Sequence, residues 1–268
     1  MAILTQQQYF DALKTEYEFV KDVQAVITQD ATTFDGAGLP APGTLAIGNT
    51  AAGISPVDTD TGYPTLDAIP AGHKLCLSRL TNFGILNAQN RLRLFDRVFA
   101  AGAYSFGAAT TLASQPSFST RIPNGTDYKG LQIWVENVTA FTGSPVITIG
   151  YTNQDNVSGR TATIAISTLT IRATFQVNLQ AGDAGVRQIN SVSEAGGTAG
   201  TYNVMILRPL FRSYQDAGAT AQGLVERSTF DYIQTGLPEI FAGTAFYPLW
   251  QINTSGRAAT LRFELASG

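Results

Sequence analysis

The sequence predicts a mainly β chain: an antiparallel β-sandwich or jelly-roll-like domain, preceded by an N-terminal α-helix and an extended arm. Three observations predict it. From His73 onward, runs of alternating apolar and polar residues recur between clusters of Gly, Asn, Asp and Ser. One early segment repeats its apolar residues at helical spacing instead. Between the two lies a stretch with neither period.

The helical segment falls within residues 1–31. Thr5 is placed to cap it, with Gln8 three residues later as capping-box partner. Phe10, Leu13, Tyr17, Val20 and Ile27 follow at steps of three, four or seven, one face of a helix ending near Gln29 or Asp30. A second stripe of Tyr9, Phe19, Val23 and Val26 widens the arc. A helix of about 25 residues is about 37 Å long, and its apolar stripe needs a cover. Those five residues are therefore the candidate assembly interface. Residues 32–72, rich in Gly, Pro, Ala and Thr, read as an extended arm or linker that lies along a neighbouring surface. The alternative is that the helix folds back on its own sandwich.

Residues 73–268 form the sandwich. In "IRATFQVNL", Ile171, Ala173, Phe175, Val177 and Leu179 alternate with polar residues, the mark of a half-buried strand. "LQIWVENVT" presents Leu131, Ile133 and Val135 on one face, and "TYNVMILRPL" and "ATLRFELA" repeat the pattern. Ile171, Phe175, Val177, Val204, Ile206, Leu261 and Phe263 are expected in the core. "TFDYIQTGLPEIFAGTAFYPLW" is apolar and irregular, and reads as a cap on one end.

Composition narrows the function. Charged residues are 14% of the chain, well below the usual quarter or so, and the formal net charge is −3. That balance gives no electrostatic reason for a nucleic-acid partner. Cys76 is the single cysteine and His73 the single histidine, which leaves no intrachain disulfide and no Cys/His zinc site. "MAILTQQQYFDALK" lacks the basic-then-apolar layout of a secretory signal, and no apolar run is long enough for a membrane span. Synthesis in a cytoplasm, with no membrane partner, is the expectation.

No catalytic, cofactor or metal motif emerges, and the chain reads as a non-enzyme. His73 and Cys76 have no visible catalytic partner. Asp58 and Asp60 in "VDTDTG" lack the downstream glutamate of a calcium loop. "GAGLPAPG" and "EAGGTAG" lack the lysine and the spacing of nucleotide loops. Trp134, Phe95 and Tyr151, if exposed, would offer stacking surfaces for a sugar.

The stretch "IGYTNQDNVSGRTATIAI" is a hairpin connection. Asn153, Asp155 and Asn156 suit turn backbone, and Arg160 and Arg187 are placed to pin the loop to the "LQAGD" turn through carboxylates or backbone carbonyls. Tyr151, Asn153, Asp155, Arg160, Asp183 and Arg187 form the candidate structural loop. From Leu131 to Leu210, "LQIWVENVTAFTGSPVITIGYTNQDNVSGRTATI" and "VNLQAGDAGVRQINSVSEAGGTAGTYNVMILRPL" resemble virion structural proteins of tailed bacteriophages. The likeness lies in the "YTNQDG…GRT", "LQAGD-x-GVRSV" and "RPL" elements, with fainter likeness in "RLRLFDRVF" and "TGLPEIF". Asn156 stands where that pattern has glycine. The resemblance implies a capsid decoration, cement or minor capsid protein, located in the virion and favouring its capsid surface. The same resemblance implies binding to the major capsid protein and to copies of itself, with a trimer favoured. A neck, tail or fibre-base component with a receptor- or glycan-binding sandwich is the alternative.

Overall fold

Residues 13–23, "LKTEYEFVKDV", satisfy two periods at once, and the structure resolves the conflict in favour of a strand. The computed structural model describes residues 5–23, 29–84, 90–107, 109–167, 169–215, 226–251 and 257–268. Its elements in chain order begin with α1 (Gln6–Asp11), β1 (Leu13–Val23), β2 (Ala31–Thr32), β3 (Gly38–Leu39), β4 (Asn49–Ile54) and β5 (Leu75–Gly84). β6 (Asn90–Ser105), β7 (Thr110–Thr111), β8 (Gln132–Asn153), β9 (Arg160–Ala165), β10 (Thr174–Val177) and β11 (Val186–Gln215) follow. The chain closes with β12 (Glu226–Phe230), α2 (Tyr232–Thr235), β13 (Glu239–Ile240), β14 (Phe246–Gln251) and β15 (Arg257–Ser267).

The fold is mainly β, an antiparallel sandwich as expected. The first sheet runs β12-β5-β15-β1-β3, with β13 also on β5. The second runs β10-β8-β11-β6-β14-β2, with β4 on β6, β7 on β11 and β9 on β8. Between the sheets, Phe19, Leu77, Leu80, Leu261 and Phe263 meet Leu92, Leu94, Leu210, Phe246 and Trp250. A second core fills the far half of the larger sheet, from Ile133, Val135, Ile149, Phe175, Val204 and Ile206, closed by Leu112, Phe118 and Ile122. The expected core residues are buried but divide between these two clusters. Ile171 is the exception, half-buried against a third.

The long helix is corrected. Its start is as expected: Gln8 N donates to Thr5 Oγ1 at 3.2 Å and Thr5 N to Gln8 Oε1 at 3.0 Å. Yet α1 ends at Asp11, and after Ala12 the eleven residues of β1 pair with β15 in unbroken register from Leu13↔Ser267 to Val23↔Arg257. Aromatic and β-branched residues suit a pleated, half-buried surface, and a single turn of capped helix cannot propagate against that ladder. Tyr17 and Phe19 stack on Phe263 at 5.5 and 5.9 Å. The candidate interface is dispersed accordingly. Leu13 is 65% exposed, while Tyr17 and Val20 are half-buried. Tyr17 accepts a hydrogen bond from Asp67 N at 2.9 Å. Ile27 and the side chain of Phe10 lie outside what is described.

Residues 32–72 are extended, but they wrap their own body. Phe34, Leu45 and Tyr63 are buried on Phe95, Trp134, Met205, Leu207, Tyr247 and Leu249, a third core on the outer face of the larger sheet. Gly43 and Gly62 close around Phe34, where an added Cβ would stand 2.1 and 2.4 Å from its ring. Buried Lys21 of β1 donates to Pro40 O at 2.5 Å and Gly36 O at 3.2 Å, tying strand to arm. Asp35 takes a two-pronged pair from Arg172 at 2.8 and 2.7 Å. The expectation that the arm docks away from the sandwich is therefore replaced by the fold-back alternative. Nor is the 229–250 region a cap: α2 and β13 lie along β5, and β14 crosses into the larger sheet.

Candidate functional site

The hairpin joining β8 to β9 and the turn before β11 meet at Asp183. Its Oδ1 accepts from Asn153 Nδ2 at 2.7 Å and Arg160 Nη2 at 3.0 Å. Its Oδ2 accepts from the Tyr151 hydroxyl at 2.5 Å and Arg160 Nε at 2.9 Å. Four donors use the acceptor capacity of one carboxylate. Arg160 holds the Asp183 carboxyl down at about 2, with smaller help from Asn153 and Tyr151 against the cost of burial. Burial and then Asp183 push the Tyr151 phenol up.

The rest of the loop is bound as tightly. Asn153 Oδ1 accepts from Asp155 N at 3.1 Å and Val157 N at 2.9 Å, which closes the turn. Gln154 Oε1 accepts from both Ala184 N and Gly185 N at 3.0 Å. Asn156 sits at φ 63°, a left-handed conformation that asparagine tolerates and glycine adopts freely, which is why one replaces the other here. Of the six candidate loop residues, Tyr151, Asn153, Arg160 and Asp183 converge. Asp155 contributes its backbone to the turn and accepts from Gln154 Nε2 at 2.6 Å. Arg187 goes elsewhere, its guanidinium 4.8 Å from the Tyr128 ring. Gly185 lets that approach happen, since a Cβ there would stand 2.1 Å from Tyr128 O.

A second carboxylate, Asp96 on β6, lies outside the candidate structural loop. It is fully buried and takes Arg121 as an ion pair, Arg208 Nη2 at 3.3 Å and Ala245 N at 3.1 Å. Arg208 Nη1 also donates to Glu239 O at 2.9 Å. Burial presses the Arg208 guanidinium down, and Asp96 opposes it. Three sequence-remote segments thereby meet: "RLRLFDRVF" brings Asp96, "RPL" brings Arg208 and "TGLPEIF" brings Glu239. The signal in the sequence was the pair of charges inside apolar "LFDRVF", which alternation places within a sheet.

The second charge of that pair, Arg97, faces the arm. It stands 3.7 Å from Glu136 and lies over the Tyr247 ring at 4.8 Å. Glu136 also accepts from Asn203 Nδ2 at 2.6 Å and from the Tyr247 hydroxyl. Asn203 Nδ2 reaches Leu45 O of the arm at 2.7 Å. Burial pushes the Glu136 carboxyl up, against the pull of Arg97.

The remaining candidates for chemistry are occupied in holding structure. Trp134, Phe95 and Tyr151 are buried, so none of them presents a ring to a sugar. Cys76 is buried on β5, and burial pushes its thiol up, away from thiolate character. His73 Nδ1 is 3.1 Å from Ser267 Oγ. Asp58 and Asp60 accept from Leu66 N and Val57 N at 2.9 Å, as turn carboxylates do. Among the described residues, no three His, Cys, Asp or Glu gather to hold a metal ion, and no helix is long and apolar enough to cross a membrane.

No family model matches the chain, and no curated protein sequence matches it. Solved structures of infectious bursal disease virus give faint likenesses. The Gx strain structure has a TM-score of 0.22 at 10% identity, covering 96% of this chain and 80% of that one. The VP2 subviral particle has a TM-score of 0.21 at 11% identity, with the same coverage. The virus-derived T=1 particle has 0.20 at 12%, covering 96% and 77%. TM-scores this low carry no weight for fold or function.

Proposed function

We propose that this chain is a structural protein of a tailed-bacteriophage virion, of the decoration, cement or minor-capsid type, and that it performs no enzymatic step. It sits on the capsid surface as a homo-oligomer, a trimer being favoured, against the major capsid protein. One observation carries the reading. The residues that resemble the phage pattern are spent on holding the chain together: Tyr151, Asn153, Arg160 and Asp183 in one lock, Arg208 with Asp96 in another. A motif kept for binding a ligand leaves donors or acceptors facing outward, and the Asp183 carboxylate is already filled by four protein donors. The low charge supports the same reading, since it suits a body built for contact with other subunits.

Copy number per virion, measured by quantitative mass spectrometry, tests it. High copy number in step with the major capsid protein is expected, together with loss of particle stability when the protein is missing. A few copies per particle would place it in the neck or tail. Absence from purified virions would overturn the structural reading altogether.

A further inference from the structure

We propose that the open edge of β1 pairs antiparallel with the same edge of a second copy of this chain. The inference does not rest on the virion reading, because one copy carries the whole edge and would meet another in free solution. β1 has β15 along one side for its full length. On the other side β3 meets only Val20 and Lys21, and among the described residues no strand pairs with that side of residues 13–19. Asp22 N donates to Ala37 O on that side at 3.0 Å. Backbone groups of a strand point alternately to its two edges. The N–H and C=O of Lys14, Glu16 and Glu18 therefore face the open edge as well.

Charge selects the register. A strand that meets its own copy across a two-fold axis pairs edge-facing residues with edge-facing residues, so the axis must pass through a residue position. With Thr15 on the axis, Lys14 of each copy meets Glu16 of the other, and Glu18 meets Ala12. With Glu16 on the axis two glutamates face each other, and with Lys14 on it two lysines do. Centring on Tyr17 sets Glu16 against Glu18. Opposite charges across a ladder stabilise it and like charges destabilise it, which leaves the Thr15 register. Lys14 is exposed and lies over the Tyr9 ring at 4.6 Å. Glu16 is paired with Arg79 from β5, yet its side chain is 63% exposed and presents carboxylate surface to a second cation.

The apolar face agrees with that choice. Leu13, 65% exposed in one copy, lies opposite Tyr17 of the other. Pairs that exchange no backbone bonds bring their side chains closest, so this contact covers the leucine. The new ladder ends where each copy supplies a stop, α1 closing at Asp11 and β3 meeting Val20.

The test follows self-association of the full chain by sedimentation velocity, together with oxidative cross-linking. Wild-type protein is expected to dimerise as its concentration rises. Thr15→Cys should oxidise to a disulfide-linked dimer, because the two Cα atoms on the axis would stand about 4.5 Å apart, within disulfide reach. The native thiol, Cys76, is buried and does not compete. Lys14→Glu and Glu16→Lys should each weaken association about tenfold or more by setting like charges opposite each other, and K14E/E16K together should restore it. A wild type that stays monomeric at millimolar concentration overturns the proposal and leaves Lys14 and Glu16 as residues that block edge pairing. Association that neither single charge variant weakens, or that the double variant fails to restore, places the contact elsewhere and overturns it equally. So does a folded Thr15→Cys protein that stays reduced where the wild type associates. None of these outcomes changes copy number per virion, so this proposal and the virion reading fail separately.

Discussion

Asp183 and Glu136 both answer an arginine, but in opposite surroundings. Asp183 gathers Tyr151, Asn153 and Arg160 from two neighbouring turns, and every acceptor position on it is used. Glu136 lies beneath the arm with Arg97, whose Nε and Nη2 make no hydrogen bond, Nη2 standing 3.7 Å from the carboxylate. The first cluster is complete by itself. The second needs its roof: Phe34 and Tyr63 cover it, and Leu45 O takes the Asn203 amide. The contrast shows where the N-terminal quarter of the chain matters. It shields buried charge and does not hang free.

Removing the roof should have the largest effect. Deleting residues 1–72 takes β1 out of the smaller sheet and uncovers the third core, so an insoluble or unfolded product is expected by circular dichroism and sedimentation. A soluble, cooperatively folding remainder would break the comparison. The point variant Phe34→Ala sharpens it, with an expected loss of about 3–5 kcal/mol in denaturant unfolding, the usual cost of truncating a core aromatic.

The buried pair comes next. Glu136→Ala alone should cost about 3–5 kcal/mol, because it strands the Arg97 guanidinium in an apolar site. The double variant Arg97→Met with Glu136→Leu should recover much of that loss, since apolar residues of similar volume often replace a buried pair without penalty. A double variant as unstable as the single one would mean that the pair itself, and not the stranded charge, sets the cost.

These two results also bear on what was legible in the sequence. The Asp183 lock could be read because its parts lie within 32 residues along the chain, in turns whose asparagines, glycines and charges have local meanings. The strands of the C-terminal body were legible through alternation, as at Phe175 and Val177. β1 was not, because "LKTEYEFVKDV" satisfies the helical and the strand period together, and only the β15 ladder decides between them. The arm was not legible either. Phe34 and Tyr63 are isolated aromatics in a loop, and their burial depends on sheet residues far along the chain. The Asp96 cluster was not legible, since its partners Arg121 and Arg208 lie 25 and 112 residues away.

The Asp183 lock should respond more mildly, and to pH. Asp183→Asn keeps the shape and removes the charge that Arg160 answers, at an expected cost of about 1–2 kcal/mol near neutrality. The folded carboxyl is held at about 2, below its ordinary 3.8. Its contribution is therefore fully present above about pH 4 and is lost as the pH falls toward 2. Unfolding curves of the wild type and Asp183→Asn should converge over that window. A difference that persists unchanged at pH 2 would show that the lock stabilises through shape and not through charge.

The smallest effect is expected at His73. Its ring is exposed and its one described partner is the Ser267 hydroxyl, 3.1 Å from Nδ1. The C-terminus beside it is already fixed twice by backbone: Lys74 N donates to Gly268 O at 3.0 Å, and Gly268 N donates to Lys74 O at 3.2 Å. Ser267 is also paired with Leu75 in the β15–β5 ladder. Removing the imidazole leaves that pairing intact. His73→Ala should therefore change unfolding free energy by less than about 0.5 kcal/mol, the usual range for a surface substitution away from special features. Virion incorporation should be equally unaffected if the ring has no part in assembly. A variant that folds normally but drops out of purified particles would instead make the single histidine a contact residue, and would move the assembly surface to the β5–β15 end of the smaller sheet.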